Sequence, residues 1–349
     1  MIEIRLSRSP GERRVALLRD GELDGYRLER PCRPDGVGDV LRGRIVAAMP
    51  ALSGAFVALP DGETGFLPEG DTEGRRIPPE GTTLTLRVTR AAQGGKGKRV
   101  TARLPQDSVI EAGPDAALRW ALAHPQAVVI ADDAAEVARL RRALAGSSRI
   151  RQGEAFDGAI EDEVERLHAP DWALPGGGRL IFSPVAALTA VDVDSGGGDP
   201  REVNRIAIVE FVRQLRLRDL AGPILLDLAG LSVKQRTALE PALKAALGPD
   251  GLTQLLGMGP LGLFELRRAR IHPPLHEVLE DRALARGLRL LRRAAREAAL
   301  APARHLALCA SPAVLAALEA MPESLAEFAA GAGRPIALRA AAQEEIADA

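Results

Sequence analysis

The sequence predicts an α+β protein of several domains, made of a small β-barrel, an α/β unit and a small C-terminal α+β domain. Within residues 35–104, five short strand candidates are separated by turns rich in Pro and Gly, which is typical of a small barrel. Within residues 176–283, two apolar strand candidates are joined by a helical segment, which indicates a parallel β-α-β unit. Residues 284–349 are rich in Ala, Leu and Arg and alternate helical with strand-like segments.

The length and composition are those of a globular protein. A chain of 349 residues is expected to form two or three domains. The formal net charge is −1, so any nucleic-acid binding has to rest on local basic patches. The two cysteines, Cys32 and Cys309, form neither a disulfide framework nor a CxxC motif. Because the sequence shows neither a signal-like start nor an apolar run of transmembrane length, we expect a cytoplasmic protein without a membrane segment.

The spacing of the barrel strands suggests an OB-fold. The strand candidates are Asp39–Ala47, Gly54–Leu59, Thr64–Leu67, Leu84–Thr89 and Arg99–Leu104. Phe56 and Phe66 are the only phenylalanines of the barrel, and the segment from Arg87 to Arg103 holds six basic residues and no acid. OB-folds bind single strands through aromatic side chains with cations nearby. In the alternative, both rings lie in the core and the charges form a solvated edge, and the sequence leaves the two nearly even.

The segments on either side of the barrel have a mixed pattern. Alternating apolar residues across the Pro10-Gly11 turn predict an edge hairpin in residues 1–34, whose domain is completed later in the chain. Residues 105–175 predict helices at Asp115–Ala123, Ala134–Ala145 and around Phe156–Leu167, with a strand at Ala127–Ala131. The acids of GAIEDEVERLH recur at helical spacing and favour a solvated helix face over a catalytic cluster.

Three aspartates mark the ends of the two apolar strand candidates, Leu188–Val193 and Pro223–Leu226. Asp192 and Asp194 are two residues apart in a strand and should point to the same face, and Asp227 follows the second strand. Because the carboxyl ends of parallel strands meet in one crevice, the three carboxylates should converge. Such carboxylates suit Mg²⁺, which fills its remaining positions with water and substrate phosphate. The alternative for Asp194 is that it belongs to no metal site and only forms the turn before the SGGG segment.

The helical segment between these strands carries further polar candidates. Asn204 is the only Asn of the chain, which suggests that its amide orients a phosphate or a metal-bound water. Arg216 and Arg218 are candidate contacts to RNA phosphates. No His lies between Gly176 and Asp227, and the glycine-rich segments there match no phosphate-loop motif, so nucleophilic triad chemistry and a P-loop are disfavoured.

The remaining elements are predicted from apolar spacing. They are a helix at Val233–Leu247, a strand at Thr253–Gly257, a helix at Leu284–Leu300, a strand at His305–Ala310, a helix at Pro312–Ala320 and a strand near Ile336–Arg339.

These motifs together resemble a known family. ALTAVDVDSG followed by EVNRIAIVEFVRQLRLRDLAGPILLD is similar to the catalytic segment of the bacterial ribonuclease E/G family. VLRGRIVAAMPALSGAFVALPDGETGFLP resembles the RNA-binding OB barrel of that family, and AVVIADDAAEVARLRRAL resembles its RNase H-like subdomain. The resemblance implies an RNase H-like subdomain from residues 1–34 and 105–175 and an OB-fold barrel at 35–104. It further implies a DNase I-like catalytic subdomain at 176–283 and a small C-terminal domain at 284–349.

The resemblance also implies an activity. Asp192 and Asp227 match the family's two magnesium-binding aspartates, and Asp194 stands where the family usually has a supporting Asn. Phe56, Phe66 and Lys96 match residues of the barrel that contact RNA. The family hydrolyses single-stranded RNA endonucleolytically, leaves a 5′-phosphate and acts in RNA processing or decay. No small-molecule cofactor is expected beside Mg²⁺.

Some family features are missing from the sequence. The insert that senses a 5′-monophosphate is absent between GKGKRVTARL and the helix at Asp115, and RIHPPLHEV continues without a CPxC zinc link. A homodimer, if formed, would therefore lack the zinc link, and a monomer is the alternative. The family's DFIDM is DLAGL here, with one acid fewer. The main alternative function is a non-catalytic RNA-binding protein acting in ribosomal RNA maturation, and a DNA nuclease is a weaker one.

Overall fold

A computed structural model describes residues 1–349. The strands are β1 (Ile2–Ser9), β2 (Glu12–Arg19), β3 (Glu22–Glu29), β4 (Val40–Met49), β5 (Gly54–Ala58), β6 (Thr64–Pro68), β7 (Thr83–Arg90), β8 (Lys98–Thr101), β9 (Val128–Ala131), β10 (Ile150–Gln152), β11 (Asp171–Ala173), β12 (Arg179–Pro184), β13 (Thr189–Asp194), β14 (Gly222–Asp227), β15 (Thr253–Met258), β16 (Phe264–Arg268), β17 (Leu306–Ala310), β18 (Ala337–Ala340) and β19 (Glu345–Asp348). The α-helices are α1 (Ala116–Ala123), α2 (Ala134–Ala143), α3 (Gly158–Arg166), α4 (Pro200–Leu217), α5 (Val233–Thr237), α6 (Glu240–Leu247), α7 (Leu275–Val278), α8 (Arg282–Leu300), α9 (Pro312–Glu319) and α10 (Pro322–Ala332). None of these helices combines the length and the apolar character that crossing a membrane requires.

The chain forms two compact units, each assembled from separate stretches of sequence. The first unit comprises Met1–Pro34, Ala116–His168 and Leu275–Ala349. The second unit comprises Asp35–Asp115 and Ala169–Pro274. The fold is therefore mixed α+β, as the sequence predicts.

The first unit contains a five-stranded sheet in the order β10-β9-β1-β2-β3. β1 and β2 form the predicted hairpin, and β9 pairs with β1 in parallel. Gly11 in the hairpin turn has a φ of +80°, and a Cβ there would lie 2.7 Å from the Cβ of Ser324 in α10. Only glycine fits this turn, because it tolerates a positive φ and leaves room for the neighbouring helix.

The C-terminal part of the first unit is a small α+β layer. A three-stranded sheet in the order β18-β17-β19 packs with α8 around Leu288, Leu291, Leu308 and Phe328. The strand predicted near Ile336–Arg339 is present as β18, whereas β19 was not predicted. Its short polar sequence, EIAD, carries little apolar periodicity.

The first unit also holds a buried ionic cluster, which we define as Glu12, Arg14, Glu161 and Arg292. Arg14 is 1% exposed and donates hydrogen bonds of 2.6 and 2.9 Å to the Glu161 carboxylate. Arg292 of α8 donates a hydrogen bond of 3.0 Å to Glu12 of β2. Glu161 belongs to the acidic helix face that the sequence predicts as solvated. That prediction holds for Asp162, which is exposed, but Glu161 turns inward because Arg14 lies opposite it.

In the second unit, residues 40–101 form a closed barrel of β4, β5, β6, β8 and β7. β4 pairs with both β5 and β7, which closes the ring, and β6 and β8 pair in parallel. Val57, Leu67, Leu86, Val88 and Val100 fill the interior. The prediction of a small five-stranded barrel is confirmed.

The second unit also contains a six-stranded sheet in the order β11-β12-β13-β14-β16-β15. β13 and β14 are parallel and are joined by α4, so the predicted parallel β-α-β unit is present. One face of the sheet is buried, because its apolar side chains pack together with those of α4. They include Leu180, Phe182, Val191, Val193, Ile224, Leu226, Phe264 and Leu266. The alternate positions form the open face of the sheet, where no helix of this unit contributes a covering layer of buried residues.

The helix predicted at Val233–Leu247 is in fact two helices, α5 and α6. Pro241 lies in the first turn of α6. A proline has no backbone N–H and clashes with the preceding turn, so it is tolerated at a helix start and not in a helix interior. The single-helix prediction was wrong because this local signal was outweighed by the apolar spacing around it.

Candidate active site

The two strands at the centre of the six-stranded sheet place two carboxylates side by side. Asp192 of β13 and Asp227 of β14 are register partners in a parallel pair, and neighbouring strands lie about 4.8 Å apart. Val191, Val193 and Leu226 point into the core, so alternation directs both carboxylates to the open face. The predicted convergence of Asp192 and Asp227 is therefore present in the structure.

The Asp192 carboxylate lies in a field of negative charge. Its side chain is exposed on the open face and has no ion-pair partner. Partial desolvation, followed by the negative charges of Asp227 and Asp194, raises the pKa of Asp192. Because the ionised form of Asp192 is disfavoured by these neighbours, a cation that binds there would stabilise it.

The Asp227 carboxylate has a cationic partner that the sequence did not reveal. Arg236 of α5 donates from its Nη1 atom to the Oδ1 atom of Asp227 at 2.7 Å. The same guanidinium donates to the carbonyl oxygens of Leu231 at 3.0 Å and Gly262 at 3.1 Å. Arg236 thereby fixes the orientation of Asp227. It was missed because it follows Asp227 by nine residues across a turn, and no local pattern links the two.

Asp194 lies on the same face as Asp192 but is held by different partners. The backbone N–H of Gly196 donates to its Oδ1 at 2.9 Å, and Arg179 of β12 donates to its Oδ2 at 3.1 Å. The Gly196 hydrogen bond and then Arg179 lower the pKa of Asp194. These contacts favour the alternative of a turn residue. No group of three or more His, Cys, Asp or Glu side chains in the structure is arranged to hold a metal ion.

Asn204 of α4 is completely buried. Its Nδ2 donates to the carbonyl oxygen of Ala229 at 2.8 Å, and its Oδ1 accepts the Ala229 N–H at 3.0 Å. Both ends of the amide are therefore used to fasten the segment that follows Asp227 to α4. In this structure the buried amide serves the fold, and a contact of Asn204 with RNA or a water at the site stays a prediction.

Arg218 is also buried and serves the core. Its guanidinium lies 4.4 Å from the ring centroid of Phe182 and donates to Gln214 and to the carbonyl oxygen of Ala169, both at 2.8 Å. Burial lowers the pKa of Arg218 to about 10. In this structure the guanidinium of Arg218 is engaged by the core, and its contact with RNA phosphate stays a prediction.

Arg216 is half-buried in the last turn of α4. α4 starts at the carboxylate end of β13 and runs for 18 residues, about 27 Å, before the chain enters β14 at Gly222. Arg216 and Arg218 therefore lie at the end of the sheet opposite to Asp192 and Asp227. Helical spacing alone could not show which end of the crossover each arginine occupies.

The two barrel phenylalanines lie on the outer surface of the barrel. Phe56 of β5 and Phe66 of β6 are register partners, with ring centroids 5.8 Å apart and ring planes at 67°. Both are half-exposed, whereas Ala55, Val57 and Leu67 beside them are buried. Of the two alternatives that the sequence leaves open, the structure supports the exposed aromatic pair.

Two lysines in the β7–β8 hairpin have different environments. Lys96 is exposed in the turn. Lys98 is 7% exposed and is neutralised by Asp61 at 2.5 Å and Glu63 at 3.2 Å. Lys96, which the family resemblance singles out, is therefore the lysine of this hairpin that is accessible to a ligand.

The region that carries the two carboxylates is similar in sequence to known proteins. The model of the Ribonuclease E/G family matches residues 135–271. Ribonuclease E of Escherichia coli (strain K12) is 36% identical over 128 residues, which cover 34% of this chain and 12% of that protein. Ribonuclease E of Nostoc sp. is 36% identical over 138 residues, covering 37% of this chain and 20% of that protein. Ribonuclease G of Salmonella typhimurium is 32% identical over 130 residues, covering 34% and 27%.

Each aligned stretch spans less than a third of the length of these relatives. The region matched by the family model contains β13, α4 and β14 with Asp192 and Asp227, and it extends through Arg236. Residues 135–271, which carry the paired carboxylates, therefore form a region that matches the ribonuclease E/G family.

Proposed function

We propose that this protein is a metal-dependent endoribonuclease that hydrolyses single-stranded RNA, leaves a 5′-phosphate and acts in RNA processing or decay. The observation that carries the proposal is the register pairing of Asp192 with Asp227 on the open face of the sheet, inside the region that matches the ribonuclease E/G family. The names of the three relatives identify ribonucleases, and the shared segment is the one that bears the two carboxylates.

The donor set fits Mg²⁺. This ion takes one or two protein carboxylates and fills the rest of its shell with water and substrate phosphate, so a third protein ligand is not required. Asp192 and Asp227 are two such carboxylates, and the pKa of Asp192 is raised in part by the other two acids, which a bound cation would counter. Mg²⁺ held there would supply positive charge beside the phosphodiester and lower the pKa of the attacking water.

The chain's own residues have separate roles in this proposal. Asp192 and Asp227 hold the ion, and Arg236 orients Asp227 through its fixed hydrogen bonds. The exposed rings of Phe56 and Phe66 offer a stacking surface for bases, and Lys96 adds a positive charge near the RNA backbone. Asp194 supports the turn after β13 and adds negative charge to the site.

A second candidate function is RNA binding without cleavage, for instance in ribosomal RNA maturation. One contact favours it: the 2.7 Å ion pair with Arg236 already neutralises one of the two carboxylates. If this ion pair persists in solution, the site has a resident cation in place of a metal. The aromatic pair on the barrel would still bind single strands.

A cleavage assay with purified protein and a labelled single-stranded RNA separates the two functions. We expect cleavage in Mg²⁺, none in excess EDTA, and at least about a thousandfold loss for Asp192→Asn, which corresponds to about 4 kcal/mol of transition-state stabilisation. Asp162→Asn removes the same charge from an exposed position of α3 and should leave cleavage unchanged. RNA binding without Mg²⁺-dependent cleavage by the wild type would establish the second function instead.

A further inference from the structure

Three arginines meet beside the aromatic pair, on the side of the barrel away from Phe56. We call Arg90, Arg99 and Arg270 the arginine cluster. Phe66 of β6 is the register partner of Arg99 in β8, and Arg99 is the register partner of Arg90 in β7. A continuous row of register partners therefore crosses four strands of the barrel, and it changes from aromatic to cationic side chains between Phe66 and Arg99.

The third arginine comes from the segment that follows β16. The backbone N–H of Ala91 donates to the carbonyl oxygen of Ile271 at 2.9 Å, which joins the end of β7 to that segment. Arg90 and Arg270 directly precede the two bonded residues, and Arg270 lies near enough for its charge to act on the guanidinium of Arg90. The barrel and the six-stranded sheet of the second unit both contribute to the cluster.

The charges of the cluster are incompletely neutralised. Arg99 forms one ion pair, with Asp71 at 3.0 Å. Arg90 forms no ion pair and donates no hydrogen bond from its guanidinium, and its Nε atom is buried without a partner. Burial, followed by the positive charges of Arg99 and Arg270, lowers the pKa of Arg90. The repulsion among these positive charges would be relieved by a bound anion. A guanidinium can donate two parallel hydrogen bonds to the oxygens of a phosphate, so phosphate is the anion that fits best.

The cluster lies far from the paired carboxylates. Leu226, next to Asp227, pairs with Phe264, whereas Gly222 pairs with Arg268, so Asp227 and Arg268 stand at opposite ends of the β14–β16 pair. The six residues of β14, Gly222–Asp227, extend over about 17 Å of strand. Arg270 lies two residues beyond Arg268. At about 3.4 Å per stacked nucleotide, a strand that touches both places spans about five nucleotides or more.

We propose that the arginine cluster is a second RNA contact, which binds a backbone phosphate several nucleotides away from the cleaved bond. This inference rests on the proposed RNA-binding function. The arginine cluster would be a binding site separate from the paired carboxylates. It is built from the barrel and the segment after β16, and Arg90 provides the guanidinium without a partner. The stacking pair orients bases, and the cluster continues the path with a phosphate contact.

Fluorescence anisotropy with a labelled 15-nucleotide oligouridylate tests the proposal. The titration is done in EDTA, so that it does not depend on cleavage. Arg90→Gln should weaken binding about five- to tenfold, as expected for the loss of one charge-assisted hydrogen-bonded contact. The slope of log K against log salt should become shallower by about 0.7, the value for one lost phosphate contact on a single strand. Arg42→Gln, an equal change of charge at an exposed position of β4 in the same barrel, should change neither quantity.

Thermal unfolding with and without inorganic phosphate distinguishes ligand binding from a structural role. Without phosphate, Arg90→Gln should melt at the same temperature as the wild type or higher, because it removes repulsion within the cluster. Phosphate should stabilise the wild type more than Arg90→Gln. A lower melting temperature of Arg90→Gln without phosphate, with unchanged RNA affinity and salt slope, would show that Arg90 is structural and overturn the inference.

The outcomes also separate this inference from the proposed function. Tight RNA binding by both the wild type and Arg90→Gln would refute the arginine cluster alone and leave the proposed function standing. A wild type that binds no single-stranded RNA would refute both. Stabilisation by phosphate with unchanged RNA binding in Arg90→Gln would assign the cluster to a free phosphate and overturn its role as an RNA contact.

Discussion

Charged side chains meet in the buried ionic cluster of the first unit and at the acidic strand ends of the second unit, and the two places differ in how completely the charges are paired. In the buried ionic cluster of the first unit, Arg14 is 1% exposed and faces Glu161 through two hydrogen bonds. At the acidic strand ends of the second unit, Asp192 is exposed, has no ion-pair partner and is repelled by Asp227 and Asp194. The charges of the buried ionic cluster are thus paired with one another, whereas the charge of Asp192 at the strand ends is unpaired.

The difference in pairing indicates that the buried ionic cluster stabilises the fold and that the carboxylates at the strand ends serve the activity. A buried ion pair has lost its hydration, so removing one partner leaves an uncompensated charge in the interior. An exposed carboxylate with like-charged neighbours contributes no such pairing, and its value lies in attracting a cation. We therefore expect substitutions in the buried ionic cluster to change stability, and substitutions at the strand ends to change activity.

The largest effect on stability should come from Arg14→Met. The substitution leaves Glu161 without its buried partner and should lower the free energy of unfolding of the first unit by about 3–5 kcal/mol. Urea denaturation followed by tryptophan fluorescence in a Trp172→Phe background measures this, because Trp120 is then the only tryptophan and belongs to the first unit.

Arg19→Met is the matched control for this experiment. Arg19 lies on the same strand, is 53% exposed and pairs with Asp24 at 3.3 Å. Its loss should cost less than about 0.5 kcal/mol. Equal destabilisation by the two variants would contradict the distinction between buried and exposed pairs.

An intermediate effect is expected from acid. Although burial raises it, the hydrogen bonds and charges of Arg14 and then Arg296 lower the pKa of Glu161 to about 2 from 4.5. A carboxylate with a lowered pKa stabilises the fold above its unfolded pKa, and this contribution is lost as the pH falls from about 4.5 towards 2. The loss amounts to about 2 kcal/mol after allowance for solvent screening of a partly exposed group.

Glu161→Gln should remove part of this acid dependence. Melting temperatures of the wild type and the variant, measured from about pH 6 to about pH 2.5, cover the range in which Glu161 is protonated. The two curves should be separated at pH 6 and converge as the pH falls, because protonation makes the wild type resemble the variant. Curves that stay parallel throughout would show that Glu161 does not titrate in this range.

The smallest effect should come from Asp194→Asn. The amide can still accept the Gly196 hydrogen bond, and the lost ion pair with Arg179 is an exposed one, so kcat/KM for RNA should fall by less than about tenfold. Single-turnover cleavage rates of Asp194→Asn and Asp192→Asn, measured side by side, show how the two losses compare. A loss as large as that of Asp192→Asn would instead make Asp194 a third metal ligand.

Several parts of this structure could be predicted from local sequence signals. The barrel follows from short strands separated by turn residues, and the convergence of Asp192 with Asp227 follows from the geometry of a parallel β-α-β unit. Pro241 is likewise a local signal, and it marks the start of α6 after α5.

The partners of the site residues could not be predicted, because they depend on contacts between elements. Arg236 reaches Asp227 only because α5 turns back over the end of β14. The rarity of Asn correctly marked Asn204 as important, yet only the structure shows that its amide bonds Ala229. For Arg218, the sequence shows a basic helix end, and packing against Phe182 decides that the guanidinium is buried.

The pairing of Glu12 with Arg292 has a consequence for the order of events during synthesis. The two residues are 280 positions apart, and all of the second unit, residues 35–115 and 169–274, is encoded between them. On the ribosome, the β1–β2 hairpin therefore emerges with Glu12 before Arg292, its hydrogen-bond partner in α8, has been synthesised. The second unit has its whole sequence available before α8 leaves the exit tunnel, so the unit that begins first is the one that is completed last.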